Sequence, residues 1–187
     1  WIFQATPEKY NAIGAVEDLD KLTWSVNQYT KQIEKGHKAY IWLSGTDGGI
    51  IASGTILCNP EMRDHDLNDT YNLDPEKKTK QRIAVDIQIE HKLTDKIISR
   101  NVLKNDERTK KLSILIYHKG TNFPVKKEEE LVIESIIDGT YERIPTVDEQ
   151  KSTNKENVTQ MTDVGKNTIL YGAPGTGKTY SSIQYAV

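Results

Sequence analysis

The residues of this 187-residue chain best suited to chemistry lie near its end, in Gly172-Ala173-Pro174-Gly175-Thr176-Gly177-Lys178-Thr179. The stretch fits a phosphate-binding loop of the form GxxxxGK followed by Ser or Thr. Glycines let backbone N–H groups turn inward around phosphate oxygens without a Cβ in the way. Lys178 adds positive charge near the outer phosphates, and the Thr179 hydroxyl is placed to reach a Mg²⁺ that arrives with the nucleotide. Thr168 to Tyr171 reads as a short buried strand and Lys178 onward as a helix whose positive end faces the anion, so strand, loop and helix agree. The expected cofactor is GTP or ATP with Mg²⁺. Phosphoryl transfer also needs a Walker-B acid and a residue that orients water. The few residues after Thr179 do not contain them, so the expectation is an NTPase whose catalytic groups lie elsewhere in a longer protein.

A second constellation is aromatic. Trp24-Ser25 and Trp42-Leu43-Ser44-Gly45 each set a large flat ring beside a small hydroxyl. A base flipped out of a duplex needs such a pairing, with ring faces to stack on and polar groups to read its edge. Three tryptophans in a domain of this size also suit a simple packed core, and the pattern alone leaves both readings open.

The elements that must position these groups fall into three stretches. Residues 1–138 alternate strands with short helices. The clearest strand is Ile83 to Glu90, with Ile83, Val85, Ile87 and Ile89 on one face and Asp86, Gln88 and Glu90 on the other. Ala39 to Leu43 and Ile50 to Leu57 flank the turn cluster Ser44-Gly45-Thr46-Asp47-Gly48-Gly49 and predict a hairpin. Trp1 to Gln4 and Leu112 to Tyr117 supply two further strands. Val26, Tyr29 and Ile33 recur at helical spacing before Gly36, and Leu131, Ile133, Ile136 and Ile137 give residues 127–137 an apolar helical side. Asp64 to Arg82 reads as a long exposed loop. From 139 to 166 apolar content collapses into Glu, Lys, Ser, Thr, Asn and Gln, which predicts a flexible linker. Residues 167–187 are then the first strand, loop and helix of a second, incomplete domain.

Composition excludes several classes. The chain is 36% hydrophobic and 28% charged, with a net charge of −2. No apolar run approaches the roughly 18–20 residues that span a bilayer, so no membrane segment is expected. The start, Trp1-Ile2-Phe3-Gln4, has neither an initiator Met nor the pattern of a signal peptide, and both ends read as cut. A lone Cys58 makes no internal disulfide and suits a reducing interior, so the expected location is cytoplasmic. The near balance of charge means that any nucleic-acid contact must come from local patches such as Lys77-Lys78-Thr79-Lys80-Gln81-Arg82 or Arg108-Thr109-Lys110-Lys111, which equally suit solvated loops.

The order of Trp1-Ile2-Phe3-Gln4, Trp24-Ser25-Val26-Asn27-Gln28-Tyr29, Ile33 to Gly45, Gly49 to Gly54 and Gly120-Thr121-Asn122-Phe123 resembles EVE domains of the PUA-like superfamily, over essentially residues 1–138. Asn167 to Tyr180 separately resembles the opening of the AAA+ motor of McrB-type restriction proteins. The first resemblance implies an α+β fold, a twisted β-barrel with flanking short helices, holding an aromatic cage for a modified base flipped from DNA. Carried onto this chain, Trp24 and Trp42 are the cage walls and Ser25 and Ser44 the polar readers, with Phe3 and Gln4 on the adjoining strand. Where such domains commonly have Asn-Pro after the first strand, this chain has Thr6-Pro7, a hydroxyl in place of an amide. The second resemblance implies an incomplete α/β AAA+ domain, a ring-forming homo-oligomer and an McrC-like nuclease partner. PUA-like barrels also serve RNA modification and small-molecule sensing, and a structural or oligomerising domain is a third reading.

Overall fold

A computed structural model of the chain describes residues 1–66, 68–74, 81–117 and 120–144. The phosphate-loop residues Gly172 to Thr179 and the strand and helix expected around them lie outside the described residues.

Strand β1 (Ile2–Ala5) leads into helix α1 (Ala12–Asp18), β2 (Lys21–Ser25), β3 (Lys38–Leu43), β4 (Gly49–Ile56), β5 (Glu61–Arg63) and β6 (Arg82–Lys92). Then follow β7 (Ile98–Ser99), α2 (Arg100–Lys104), α3 (Ser113–Ile116), β8 (Asn122–Phe123) and α4 (Lys127–Ile137). The strands form one mixed sheet in the order β2-β6-β4-β3-β1-β8, with β5 added on β6 and β7 on β4. It is a curled half-barrel with few helices. The β1–β3 pair is parallel and the other pairs antiparallel.

Because successive strand residues point to opposite faces, each central strand feeds two cores. Phe3, Ile41 and Ile51 join Leu22, Trp24, Val85, Ile87 and the buried side of α1 on one face. Their neighbours Ile2, Tyr40, Trp42 and Ile50 join Leu103, Ile114, Phe123 and Ile133 on the other. Helix α4 closes that second face. Glu129 accepts the Lys126 N–H at 2.7 Å, and the acidic first turn meets the positive end of the helix. The Tyr40 hydroxyl donates to Glu134 at 2.6 Å.

The expected hairpin, the strand through Ile83 to Glu90 and the helix over 127–137 are all present, and two expectations are corrected. Leu112 to Tyr117 is not a strand: Ser113–Ile116 is a short helix, with Tyr117 N donating to Ser113 O at 2.8 Å. An apolar run this short fits either period. Val26 to Gly36 forms turns rather than a helix. Tyr29 adopts φ +60°, and the N–H groups of Glu34 and Lys35 go to the His37 ring and the Asn59 side chain instead of to carbonyls four residues back.

The tether expected from 139 does not leave the domain there. Buried Asp106 accepts from Arg108 Nη2 (2.8 Å), the Tyr141 hydroxyl (3.0 Å) and Ile144 N (3.1 Å), so the chain stays fastened through Ile144. Within the proposed basic patch Arg108-Thr109-Lys110-Lys111, Arg108 is engaged in this fastening and Lys110 pairs with Glu107 at 2.7 Å. Among the described residues no helix is long and apolar enough to cross a membrane.

Candidate functional site

At the end of β1 the chain leaves the sheet through Thr6, whose carbonyl accepts from Lys9 N and Tyr10 N and so turns Tyr10 back across the sheet edge. There its ring meets Trp24 edge to face, with centroids 5.4 Å apart and planes at 77°. Trp24 sits on β2 opposite Val85 of β6, and Ser25 opposite Ala84. Arg82, the first residue of β6, donates from Nη1 to Ser25 Oγ at 2.8 Å. The stretch 69–74 is laced to 9–11 by Asn11 N to Tyr71 O (2.8 Å), Leu73 N to Lys9 O (3.0 Å) and a Tyr10–Asn72 bridge.

These elements enclose a cleft of about 180 Å³. Trp24 and Tyr10 give it an aromatic wall. Gln4, Thr6, Ser25 and Asn27 supply groups that donate and accept, Arg82 a cation and Asp69 an anion. Buried Asn122 fixes the wall from behind: its Oδ1 accepts from Asn27 N at 2.9 Å, and its Nδ2 donates to Ser25 O at 3.3 Å.

Burial, and then the charge of Asp69, push the Tyr10 phenol well above its ordinary range, so it stays a neutral hydroxyl. Burial lowers Arg82 from its ordinary value, against the opposing pull of Asp69. Arginine nevertheless keeps its charge in proteins. An apolar wall with convergent donors and acceptors is the equipment of recognition.

Of the residues expected at a base pocket, the structure brings Gln4, Trp24 and Ser25 together in this cleft. Ser44 stands beside it, its Oγ accepting from Gln4 Nε2 at 2.6 Å, and so orients Gln4. Phe3 is fully buried in the first-face core. Trp42 is also fully buried, but in the second-face core, with the Arg100 guanidinium 5.3 Å from its ring centroid.

A cage of two facing indoles is therefore corrected. Trp42 is the strand neighbour of Gln4, but its ring packs into the core opposite to the one that holds Trp24. The aromatic partner of Trp24 is Tyr10. Sequence reading missed Tyr10, Asn27, Asp69 and Asn72 as lining residues, and placed Arg82 only in a basic run. Thr6, which stands where the related pattern has asparagine, does line the cleft.

No curated protein matches the chain. Among solved structures, the fold is similar to that of a hypothetical protein from Leishmania major, at 17% identity and TM-score 0.55, covering 74% of this chain and 94% of that one. It is similar also to protein PSPTO5229 from Pseudomonas syringae, at 19% identity and TM-score 0.51, covering 73% and 97%. A third likeness is to the human THYN1 protein, solved in complex with 5-methylcytosine-containing DNA, at 21% identity and TM-score 0.51, covering 73% and 95%. At these identities the likeness is one of fold. The EVE domain model matches residues 1–136, from β1 to within the last turn of α4, and the chain belongs to the EVE domain family.

Proposed function

We propose that residues 1–144 form a recognition module for a modified base in DNA. The observation that carries this reading is the cleft itself, with Trp24 braced by the edge of Tyr10 and ringed by Gln4, Ser25, Asn27, Asp69 and Arg82. The likeness to the THYN1 protein, whose structure holds 5-methylcytosine-containing DNA, supports it.

The energetics balance. Extruding a base costs a few kcal/mol, and stacking on an aromatic side chain returns about 1–3 kcal/mol. Hydrogen bonds to the base edge then decide which base stays. The phosphate-loop sequence at 172–179 supports extending the reading to a McrB-like, modification-dependent restriction system. There a nucleotide-driven motor, using GTP or ATP with Mg²⁺, assembles as a ring and acts with an McrC-like nuclease.

The test titrates the full chain against duplexes identical except for one 5-methylcytosine, with Trp24→Leu alongside and its fold checked by circular dichroism. Tighter binding of the modified duplex is expected, with a loss of about 5- to 150-fold in the folded variant, the stacking energy expressed as an equilibrium constant. Equal, weak binding of both duplexes by parent and variant would refute the module reading.

A further inference from the structure

Of the charged groups that line the cleft, Lys9 among them, Asp69 and Arg82 are of opposite sign without pairing to each other among the described residues. Asp69 and Arg82 both face it, and the Asp69 charge acts on Arg82, yet no ion pair joins them among the described residues. Among the described residues Arg82 donates from Nη1 to Ser25 Oγ, and its Nε is buried with no partner. Among the described residues the Asp69 carboxylate accepts the N–H of Tyr71, at 3.0 Å through Oδ1. A buried donor without an acceptor is a standing cost, and native structures retain few of them. The Arg82 guanidinium, which only donates, and the Asp69 carboxylate, which only accepts when ionised, thus line the same cleft.

We propose that Arg82 and Asp69 are the residues that determine base identity, reading a heterocycle that presents an amine donor next to a ring-nitrogen or carbonyl acceptor. The inference rests on the base-binding reading above and narrows it. Guanidinium only donates and ionised carboxylate only accepts. The ligand edge must therefore give a donor to Asp69 and an acceptor to Arg82. A cytosine edge does so with its 4-amino group and the adjacent N3 and O2. Thymine has O4 in place of that amine, so a carboxylate there meets an oxygen. Its one donor, N3–H, is flanked by two carbonyl oxygens that repel the second carboxylate oxygen. The pair thus favours the amino base over the oxo base of the same shape. Tyr10, raised by burial and then by the Asp69 charge, remains a neutral hydroxyl in the same cleft.

The experiment uses the full chain and short single-stranded oligonucleotides, which remove the cost of extrusion, carrying one central 5-methyldeoxycytidine or thymidine between abasic spacers. These bases share size and methyl group and differ only in the donor and acceptor pattern. The parent is expected to prefer 5-methyldeoxycytidine by about tenfold or more, because a mispaired polar group in such a site is strongly rejected. Arg82→Met is expected to weaken both bases and to erase most of the preference. Asp69→Asn, whose amide donates as well as accepts, is expected to shift the preference toward thymidine while leaving the melting temperature near that of the parent.

That exchange of preference is a readout that a merely structural role for Asp69 does not produce. Should Trp24→Leu abolish binding while Asp69→Asn and Arg82→Met keep the parent's preference, the inference fails and the base-binding reading stands. Binding of neither oligonucleotide by the parent would sink both. If Arg82→Met fails to fold, Asp69→Asn decides alone.

Discussion

Replacing Asn122 with alanine tests whether the cleft is held by one buried amide. In the folded chain this side chain, fully buried, ties the stretch after β2 to β8 across 94 to 97 residues of sequence. Its Oδ1 accepts from Asn27 N at 2.9 Å and from Thr121 Oγ1 at 3.0 Å, and more weakly from Gln28 N at 3.4 Å. Its Nδ2 donates to Ser25 O at 3.3 Å. Truncation leaves the Asn27 N–H and the Ser25 carbonyl as orphans, while the Thr121 hydroxyl can rotate to water and the long Gln28 contact contributes little. Each of these two orphaned, partly buried backbone groups costs about 1–3 kcal/mol, so Asn122→Ala is expected to destabilise by about 2–6 kcal/mol.

For a domain of this size about 4 °C of melting temperature corresponds to 1 kcal/mol, which places the midpoint about 8–24 °C below the parent. A parent stability of about 10 kcal/mol, the middle of the usual range, leaves the variant folded at 10 °C. There, base binding is expected to fall about tenfold or more, since Ser25 and Asn27 lose the positions that a recognition site needs to within about 0.5 Å. Scanning calorimetry and a titration at 10 °C read the two effects separately. A variant that melts with the parent and binds as the parent does would show that the 25–28 stretch is held by something other than Asn122.

Two further outcomes follow from the same geometry. A Cβ on Gly54, at the bulge where β4 changes register against β6, would lie 2.0 Å from the Gln88 carbonyl oxygen; Gly54→Ala is expected to cost about 3 kcal/mol or more, read as a lowered melting temperature. At Asp106 burial raises the carboxyl pKa, but hydrogen bonds from Arg108, Ile144 and Tyr141 outweigh it and hold the group far below the usual carboxylate range. Asp106→Asn is expected to cost about 2–3 kcal/mol at neutral pH, the partly exposed flank of Arg108 discounting the value for a fully buried pair. A depressed folded-state pKa gives stability that is complete above about pH 4, where the unfolded carboxylate is ionised, and that is lost as the pH falls toward the folded value. The gap between parent and variant, followed by denaturant titration, is therefore expected to narrow below pH 4; a gap unchanged down to pH 3 would refute the assignment.

What the sequence disclosed, and what it withheld, follows from the range of the interactions concerned. Ile83 to Glu90 was legible because alternation is a local consequence of the pleat, and the hairpin because a glycine-rich turn joins two apolar runs. Trp24-Ser25 and Trp42-Leu43-Ser44 looked alike because each is a ring beside a hydroxyl. The core that a ring enters is settled by strand pairing, through Val85 for Trp24 and Gln4 for Trp42, and no local pattern carries that information. Tyr10, Asp69 and Arg82 are gathered by the lacing of 69–74 onto 9–11 and by the pairing of β6 with β2. The stretch from Asp64 to Arg82 has the composition of an exposed loop, yet its part from Asp69 to Asp74 folds back to wall the cleft. Only the Asn27 position, inside a segment already noted for its tryptophan, lay close to a visible signal.

The two kinds of wall in the cleft differ in how sharply each discriminates. An apolar surface that accepts a methyl group gains about 1–3 kcal/mol, which limits its preference to roughly 10- to 200-fold. A polar pair that must be satisfied rejects a mismatched edge far more strongly, because the wrong ligand leaves both a buried donor and a buried acceptor unpaired. With Arg82 and Asp69 reading the edge, the cleft is a stringent judge of base identity and a modest judge of modification. A chain that acts on modified DNA against a large excess of unmodified sequence then needs a second source of selectivity. Several copies held on one DNA supply it, since linked sites multiply modest preferences. If the chain acts as proposed, a ring of several copies would supply that second source, and the cleft at Trp24 would not need to discriminate modification on its own.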